Sequence, residues 1–313
     1  MNVLVLLLSL FTVVEWNVEN LFDCVRDSVH DDTEWQSTSF RHWTHYRYWQ
    51  KLTHVSQALL ACGEHADGWM LPDVVILTEV ESDTTMIDLT RRSELRSARY
   101  EYLMTDSRDR RGIDVAILYS PATFRPICYD TLCVAPVQGM RPTRDVLYLS
   151  GETISGDTLH LFGIHAPSRY GGERQTRAHR LAVIDRLLTA VDSIRRENAA
   201  AKILITGDFN DYDSSPSLQR LAACGLVNVS AAAQGRYGAR GSYKYRGEWN
   251  SLDHMVCSPP LAARLSNCTI ADFPFLLTDD ERYGGQQPRR NFIGGRWQNG
   301  YSDHLPLVAR FNF

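Results

Sequence analysis

A single globular α/β chain, rich in strands and poor in long helices, is what the sequence predicts, and three observations carry it. Short apolar, β-branched runs recur along the whole length, and each stops at a polar residue, as buried strands do. Extended helical periodicity is confined to residues 43–62 and 172–198. Most successive strands therefore lack an intervening helix, which favours antiparallel neighbours over repeated βαβ units. No Pro/Gly/Ser-rich linker, internal repeat or low-complexity tract divides the 313 residues, and at 44% hydrophobic and 22% charged they can bury one large core.

The formal charge of −4 provides no global attraction to nucleic acid or to an anionic membrane. Lysine stands only at 51, 202 and 244, so 30 of the 33 basic residues are arginine. Arginine suits bidentate phosphate contacts, although genome base composition produces the same bias and is the simpler cause. Seven cysteines without a Cys-x-x-Cys spacing indicate neither a zinc site nor a dense disulfide framework. Most of them read as small buried hydrophobes.

Residues 1–10 are apolar like the core of an export signal, but lack a basic start and a small-x-small cleavage site. They are expected to be a truncated signal or leader, with one domain over residues 11–313; export follows if they are a signal remnant, and a cytoplasmic location otherwise. The apolar stretch is too short for a membrane span before Glu15 and Asn17. Residues 11–17 read as a core strand and residues 23–39 as an acidic loop. The helix at 43–62 carries Tyr48, Leu52, Val55 and Leu59 on one face and ends at Gly63. The aromatics around it (Trp35, Phe40, Trp43, Tyr46, Tyr48 and Trp49) have the chemistry to stack bases, but packing is the commoner use and the one expected.

Residues 73–77 form the next apolar run, with Glu79 at its tip. Strands are expected at 111–119, 124–134 and 143–150, and again at 158–165, where His165 closes the run. Taken singly, Glu79 reads as a solvated charge and His165 as a hydrogen-bonded structural histidine. The helix at 172–198 presents Leu181, Ile184, Leu188, Val191 and Ile194 as its apolar stripe. It leads into Ile203-Leu204-Ile205-Thr206, after which Gly207 lets the backbone turn and Asp208 and Asn210 follow two residues apart. A carboxylate that can orient or deprotonate water, beside an amide that can bind a phosphoryl oxygen, suits phosphate chemistry; an ordinary polar turn is the local alternative. A short helix is expected near 216–224. Asp253 then opens an apolar strand, and Asp303-His304 precedes the last one. The Ser302-Asp303-His304 tripeptide is not a hydrolase triad, because sequence neighbours rarely form one and no Gly-x-Ser-x-Gly elbow exists.

These strand ends recur in one order: Asn17, Glu79, His165, Asp208 with Asn210, Asp253, then Asp303 with His304. Gly207-Asp208-Phe209-Asn210 and Ser302-Asp303-His304, supported by Trp16-Asn17-Val18, Glu79 and Ser251-Leu252-Asp253-His254, resemble the endonuclease/exonuclease/phosphatase superfamily of DNase I-like enzymes over residues 11–313. Asn17–Asp23 and Arg111–Ala116 look like a bacterial branch of it.

The resemblance implies an α/β four-layer αββα sandwich, two mixed sheets face to face with helices outside, and an active site at one edge. It implies a metal-dependent hydrolase acting on phosphate esters, with Mg²⁺, or alternatively Mn²⁺, held by Glu79, Asn17 and Asp303. It assigns water activation to Asp208, phosphoryl binding to Asn210, and charge stabilisation or proton transfer to His304 held by Asp253. His165 is the candidate acid at the leaving group, and Arg111 and Arg169 are candidate phosphate binders. Four carboxylates (79, 208, 253 and 303) meeting without a cation would raise one another's pKa values, and a cation would relieve that.

Abasic-site endonucleases of the superfamily tend to carry a tyrosine-containing segment where this chain has Ile164-His165-Ala166-Pro167, which speaks against that repair role. The inositol-phosphate and sphingomyelin branches commonly show Gly-Asp-Leu-Asn, whereas position 209 here is Phe. Residues 279–296 match no branch signature and are expected to form a substrate-side loop. The expected activity is that of a nuclease-like phosphodiesterase on a phosphate-ester substrate, DNA or RNA included, by a monomeric protein. A phosphatase or lipid-headgroup hydrolase of the same fold is the alternative. A catalytically silent binding module is disfavoured because positions 79, 208 and 304 are intact.

Overall fold

The computed structural model describes residues 10–66 and 68–313; all of the expected leader except Leu10 lies outside them. The first strand is longer than expected. β1 (Leu10–Leu21) starts at Leu10 and runs through Asn17 to Leu21. Its odd positions share one face. That face meets the other sheet, with the Phe11 ring 6.1 Å from Phe124 and the Asn17 amide reaching Asp208.

Eleven more strands complete two sheets among the described residues. They are β2 (Val74–Val80), β3 (Glu101–Met104), β4 (Asp114–Tyr119), β5 (Phe124–Leu132), β6 (Val146–Thr153) and β7 (Thr158–His165), followed by β8 (Lys202–Asp208), β9 (Val227–Asn228), β10 (Asp253–Cys257), β11 (Leu265–Ile270) and β12 (Leu307–Asn312). The first sheet is ordered β11-β12-β1-β2-β4-β3 and the second β9-β10-β8-β7-β6-β5. Each is mixed. β1 and β2 run parallel, as do β7 and β8, while the other neighbours are antiparallel. The expectation of antiparallel neighbours therefore holds except at these central pairs, and the central pairs are where the site lies.

α1 (His45–Ala61) packs on the first sheet through Tyr48, Leu52, Val55 and Leu59, its N-terminus capped by the Thr44 hydroxyl. α2 (Glu173–Glu197) and α3 (Pro216–Ala223) cover the second sheet. The buried stripe of α2 is Val183, Ile184, Leu187, Leu188 and Val191, slightly rotated from the expected one, so Leu181 and Ile194 are only half-buried. The result is four layers, helix–sheet–sheet–helix. One apolar cluster fills the space between the sheets and beneath α1, and a second lies between the second sheet and α2.

Residues 111–113 are not strand. Gly112 adopts φ +70° in a turn, and β4 begins only at Asp114. Residues 279–296 fold into short hairpins rather than an open loop. The cysteines divide: Cys62 and Cys257 are buried, whereas Cys128, Cys133 and Cys224 are exposed, and all seven are free. Three of them thus lack the burial expected of small hydrophobes. No helix among the described residues is long and apolar enough to cross a membrane.

Candidate active site

Strand register brings the site together. In β8, Asp208 pairs with His165 of parallel β7 on one side and with Asp253 of antiparallel β10 on the other, so three strand ends place three functional side chains in one row. Gly207 makes this possible. It sits at φ +143°, and a Cβ there would lie 1.9 Å from the Ile164 carbonyl oxygen, so only glycine lets the end of β8 close on β7. Asn210 then takes a left-handed φ of +50°, which asparagine tolerates. Its N–H caps Asp208 Oδ1 at 2.7 Å and its amide donates to the Ala166 carbonyl at 3.0 Å.

The first sheet supplies the opposite wall. The β1–β2 register slips after Asn17 and Thr78, and Glu79 occupies the irregularity with φ +65°. A bulky residue held left-handed at a strand end is local strain of the kind found at functional positions. One Glu79 oxygen accepts from the Asn20 N–H at 2.9 Å, and the other lies 3.9 Å from His165 Nε2. Asn17 donates from Nδ2 to Asp208 Oδ2 at 3.0 Å, a direct bond across the two sheets.

Ser302 explains its place beside Asp303 and His304. Its hydroxyl donates to the Asn17 carbonyl at 2.6 Å and accepts from the His304 N–H at 3.1 Å. Trp16 adds a bond from its indole nitrogen to the His304 carbonyl at 2.9 Å. The loop before β12 is thereby tied to β1, and the His304 ring is delivered to Asp253, Nδ1 to Oδ2 at 2.7 Å. The Ser242 hydroxyl donates to the same Asp253 oxygen.

Electrostatics separate the two histidines. Burial alone would lower His304, but Asp253, its hydrogen bond, then Asp208 and Asp303 hold the ring well above the usual histidine range. His304 is an imidazolium at neutral pH. His165 is fully buried, and burial, reinforced by Arg144, Arg111 and His304, keeps it well below that range. A neutral His165 is not a resting proton donor, which weighs against the leaving-group acid role expected of it. Asp208 is raised to about 7 by burial and by Asp253, offset by His304 and by bonds from Asn210 and Asn17.

One cavity of about 660 Å³ is lined by Asn17, Glu79, Arg111, His165, Asp208, Asn210, Asp303 and His304, among others. Asp253 stands fully buried behind His304. Arg169 is not brought to this wall: from the loop before α2 its guanidinium turns to Glu173, the first residue of that helix, at 3.6 Å, and lies over the Tyr212 ring at 4.3 Å.

A hard divalent cation fits the donor set, because Glu79, Asp303 and Asp208 bring carboxylates to one cavity, while Asn17 beside them turns its amide nitrogen to Asp208 and its Oδ1 accepts the Glu19 N–H at 2.9 Å. Asp303 keeps one oxygen free, the other being held by Arg290 at 2.8 Å. Asp208, Asp253 and His304 also bring ligand atoms within 4.8 Å of one another. Since Nδ1 of His304 and Oδ2 of Asp253 already bond to each other, that trio reads as a charge-coupled dyad beside Asp208 rather than as the ion's own cage.

Several participants escaped sequence reasoning. Glu19 is buried, accepts from the Asn291 N–H at 2.6 Å, and is raised to about 7 by burial and by Asp303. Lys51 of α1 lies beneath the same cluster, lowered to about 8 by burial despite Glu19 and Asp303. Glu15, fully buried two residues before Asn17, is pushed well above the usual carboxylate range by burial and by Asp253 and Asp208. The charge at position 15 inside an apolar strand was the available signal. Tyr243, Arg144 and Arg290 come from loops and strand edges without periodicity.

A sequence profile of the endonuclease/exonuclease/phosphatase family matches residues 12–312. No curated protein matches the chain. Similar folds occur in a mannosyl-6-phosphatase of Bacteroides thetaiotaomicron (TM-score 0.65, 15% identity, 97% of this chain and 100% of that one). They occur also in an endonuclease/exonuclease/phosphatase family protein of the same organism (TM-score 0.62, 15% identity, 96% and 97%). TDP2 from C. elegans gives a TM-score of 0.59 at 18% identity over 97% of this chain and 75% of that one.

Proposed function

Because the chain belongs to the endonuclease/exonuclease/phosphatase family, we propose that it is a metal-dependent phosphoesterase and, within that class, a nuclease-like phosphodiesterase. The observation that carries this reading is the His304–Asp253 pair set beside Asp208 at one carboxylate-lined cavity. Glu79, Asp303 and Asn17 would hold the cation, Mg²⁺ or alternatively Mn²⁺. When bound, it supplies positive charge to the transferring phosphoryl group.

The remaining chemistry falls to the protein's own groups. A water attacks phosphorus and gives its proton to Asp208, whose pKa of about 7 suits a base at neutral pH. Asn210 binds a phosphoryl oxygen as its charge grows. As the P–O bond to the leaving group breaks, the departing oxygen takes the His304 proton, from Nε2 because Nδ1 is committed to Asp253. His165, neutral and with Nδ1 unpartnered, serves as a hydrogen-bonding group at the wall.

A phosphomonoesterase of small phosphates is the second reading. A walled cavity of about 660 Å³ favours it, since a nucleic-acid duplex needs an open groove. The test compares single- and double-stranded DNA and RNA with sugar phosphates, inositol phosphates and sphingomyelin under Mg²⁺ and under chelator. Magnesium-dependent nucleic-acid cleavage is the expected result. Monoester turnover without any nucleic-acid cleavage at low salt selects the second reading, and no phosphate-ester turnover with any metal rejects both.

A further inference from the structure

We infer that Arg111 and Arg141 form a second anion subsite beside the reacting centre, and that the substrate carries a second, non-reacting phosphate held there. This rests on the phosphoesterase reading and narrows its substrate class. The catalytic cavity adjoins another of about 410 Å³, and the two share Asn20, Trp35, Arg41, Arg111 and Arg141 as a common wall.

The charges along that wall do not cancel. Arg41 is satisfied by Glu34, through Nε at 3.1 Å and Nη2 at 3.0 Å, and lies over the Trp35 ring. Arg110 is paired with Asp31 at 2.7 Å. Asp109 is claimed by the buried Arg144, at 2.8 Å. Arg111 reaches only the other Asp109 oxygen, at 3.9 Å, a distance without a hydrogen bond. Arg141 makes no hydrogen bond or ion pair among the described residues. Arg111 is thus only loosely paired and Arg141 has no partner among the described residues, and both line the wall that the two cavities share.

Their placement is built rather than incidental. Arg141 lies on the β5–β6 connection, which is closed by the Asp145 carboxylate accepting from the Val134 N–H at 3.1 Å and turned by a Met140 N–H to Val137 carbonyl bond at 2.9 Å. Arg111 is set by the turn at Gly112 that precedes β4. The reacting phosphoryl group belongs with Asp208, His304 and the metal-holding carboxylates. A second anion held on the wall that the two cavities share would belong to the same molecule. Paired guanidiniums bind a phosphate through parallel N–H···O bonds, the geometry arginine offers and lysine does not. A doubly phosphorylated small molecule and the phosphorylated end of an oligonucleotide present the same chemistry.

Calorimetric binding with Mg²⁺, in the Asp208→Asn protein to suppress turnover, separates these cases. Fructose 1,6-bisphosphate is compared with fructose 6-phosphate, and the dinucleotide pTpT with TpT. The member with two phosphates in at least one pair is expected to bind about ten- to hundredfold tighter, as charge-assisted hydrogen bonds at two sites would give. Adding Arg141→Ala should remove most of that advantage and leave the affinity of the member with one phosphate unchanged. The pair that shows the advantage identifies the source of the second phosphate. Equal binding within both pairs, or an equal loss for both members on Arg141→Ala, overturns the subsite while leaving the phosphoesterase reading intact. If none of the four compounds binds, both fall.

Discussion

At His304, burial and neighbouring charge act in opposite directions, and the charge prevails. A buried imidazole ordinarily loses its proton, and burial drives His165 that way in the same cavity; with Asp253 bonded to Nδ1, His304 is driven the other way. If the pair acts as a unit, Asp253→Ala and His304→Ala should each lower kcat on the order of 10²–10⁴-fold. The double variant should then be little worse than either, measured as a double-mutant cycle. Fully multiplicative losses would mean two independent groups. Glu79 gives a second residue-level prediction. Glu79→Gln keeps the shape and the bond from Asn20 but halves the charge offered to a cation, so calorimetry should find Mg²⁺ or Mn²⁺ binding weakened with the thermal transition little changed. Unchanged metal affinity would remove Glu79 from the metal site. Two residues beyond Glu79, burial raises Glu81 to about 8, opposed by the Asp23 N–H bond and reinforced by the charges of Asp23, Asp32 and Asp27. Its folded pKa lies above the ordinary 4.5, so the folded protein binds the extra proton. The resulting stabilisation is complete below about pH 4.5 and is lost as pH rises through about 8. Glu81→Gln should therefore flatten the fall in Tm between about pH 4.5 and about pH 8; an unaltered slope would show that Glu81 does not titrate there.

At the scale of elements, the site depends on how strands end. β8 was legible because an apolar β-branched run, a glycine and two polar residues each left a mark in sequence. What the glycine does was not legible: φ +143° allows either a turn or, as here, contact with the carbonyl of a neighbouring strand. Gly207→Ala should cost about 1–3 kcal/mol from backbone strain alone, and more from the clash with Ile164. Gly156→Ala, also at positive φ but with its nearest neighbour 3.9 Å away, is the control that isolates the strain. Urea unfolding measures both, and equal losses would contradict the close approach. β3, β9 and β11 went unread because edge strands with exposed residues carry weak alternation. The residue 279–296 segment matched no signature, yet its hairpins bring Arg290 onto Asp303 and Phe292 onto the cavity wall. Such contacts join residues far apart in sequence and leave no local period.

At the scale of the whole molecule, the ordered series of strand-end residues was legible, whereas the pairing of two sheets that unites them was not. Composition and periodicity gave many strands and two long helices; the four layers came from resemblance, and the two parallel central pairs went against the local expectation. The charges beneath the site, Glu15, Glu19 and Lys51, are visible only once β1 and α1 are packed. A net charge of −4 with arginines gathered around one cleft also makes a prediction. Any nucleic-acid cleavage should be sequence-independent and fall steeply between about 50 and 200 mM salt, as phosphate-dominated binding does; salt-independent cleavage would point to recognition of another kind. The most direct test of the central claim is where the water oxygen goes. Hydrolysis of bis(p-nitrophenyl) phosphate in ¹⁸O-enriched water, followed by ³¹P NMR, should place one ¹⁸O on the phosphorus of the product, with no reaction under chelator or in Asp208→Asn. Label found on the nitrophenol, or turnover that survives both chelation and Asp208→Asn, would contradict water attack at phosphorus in this cavity.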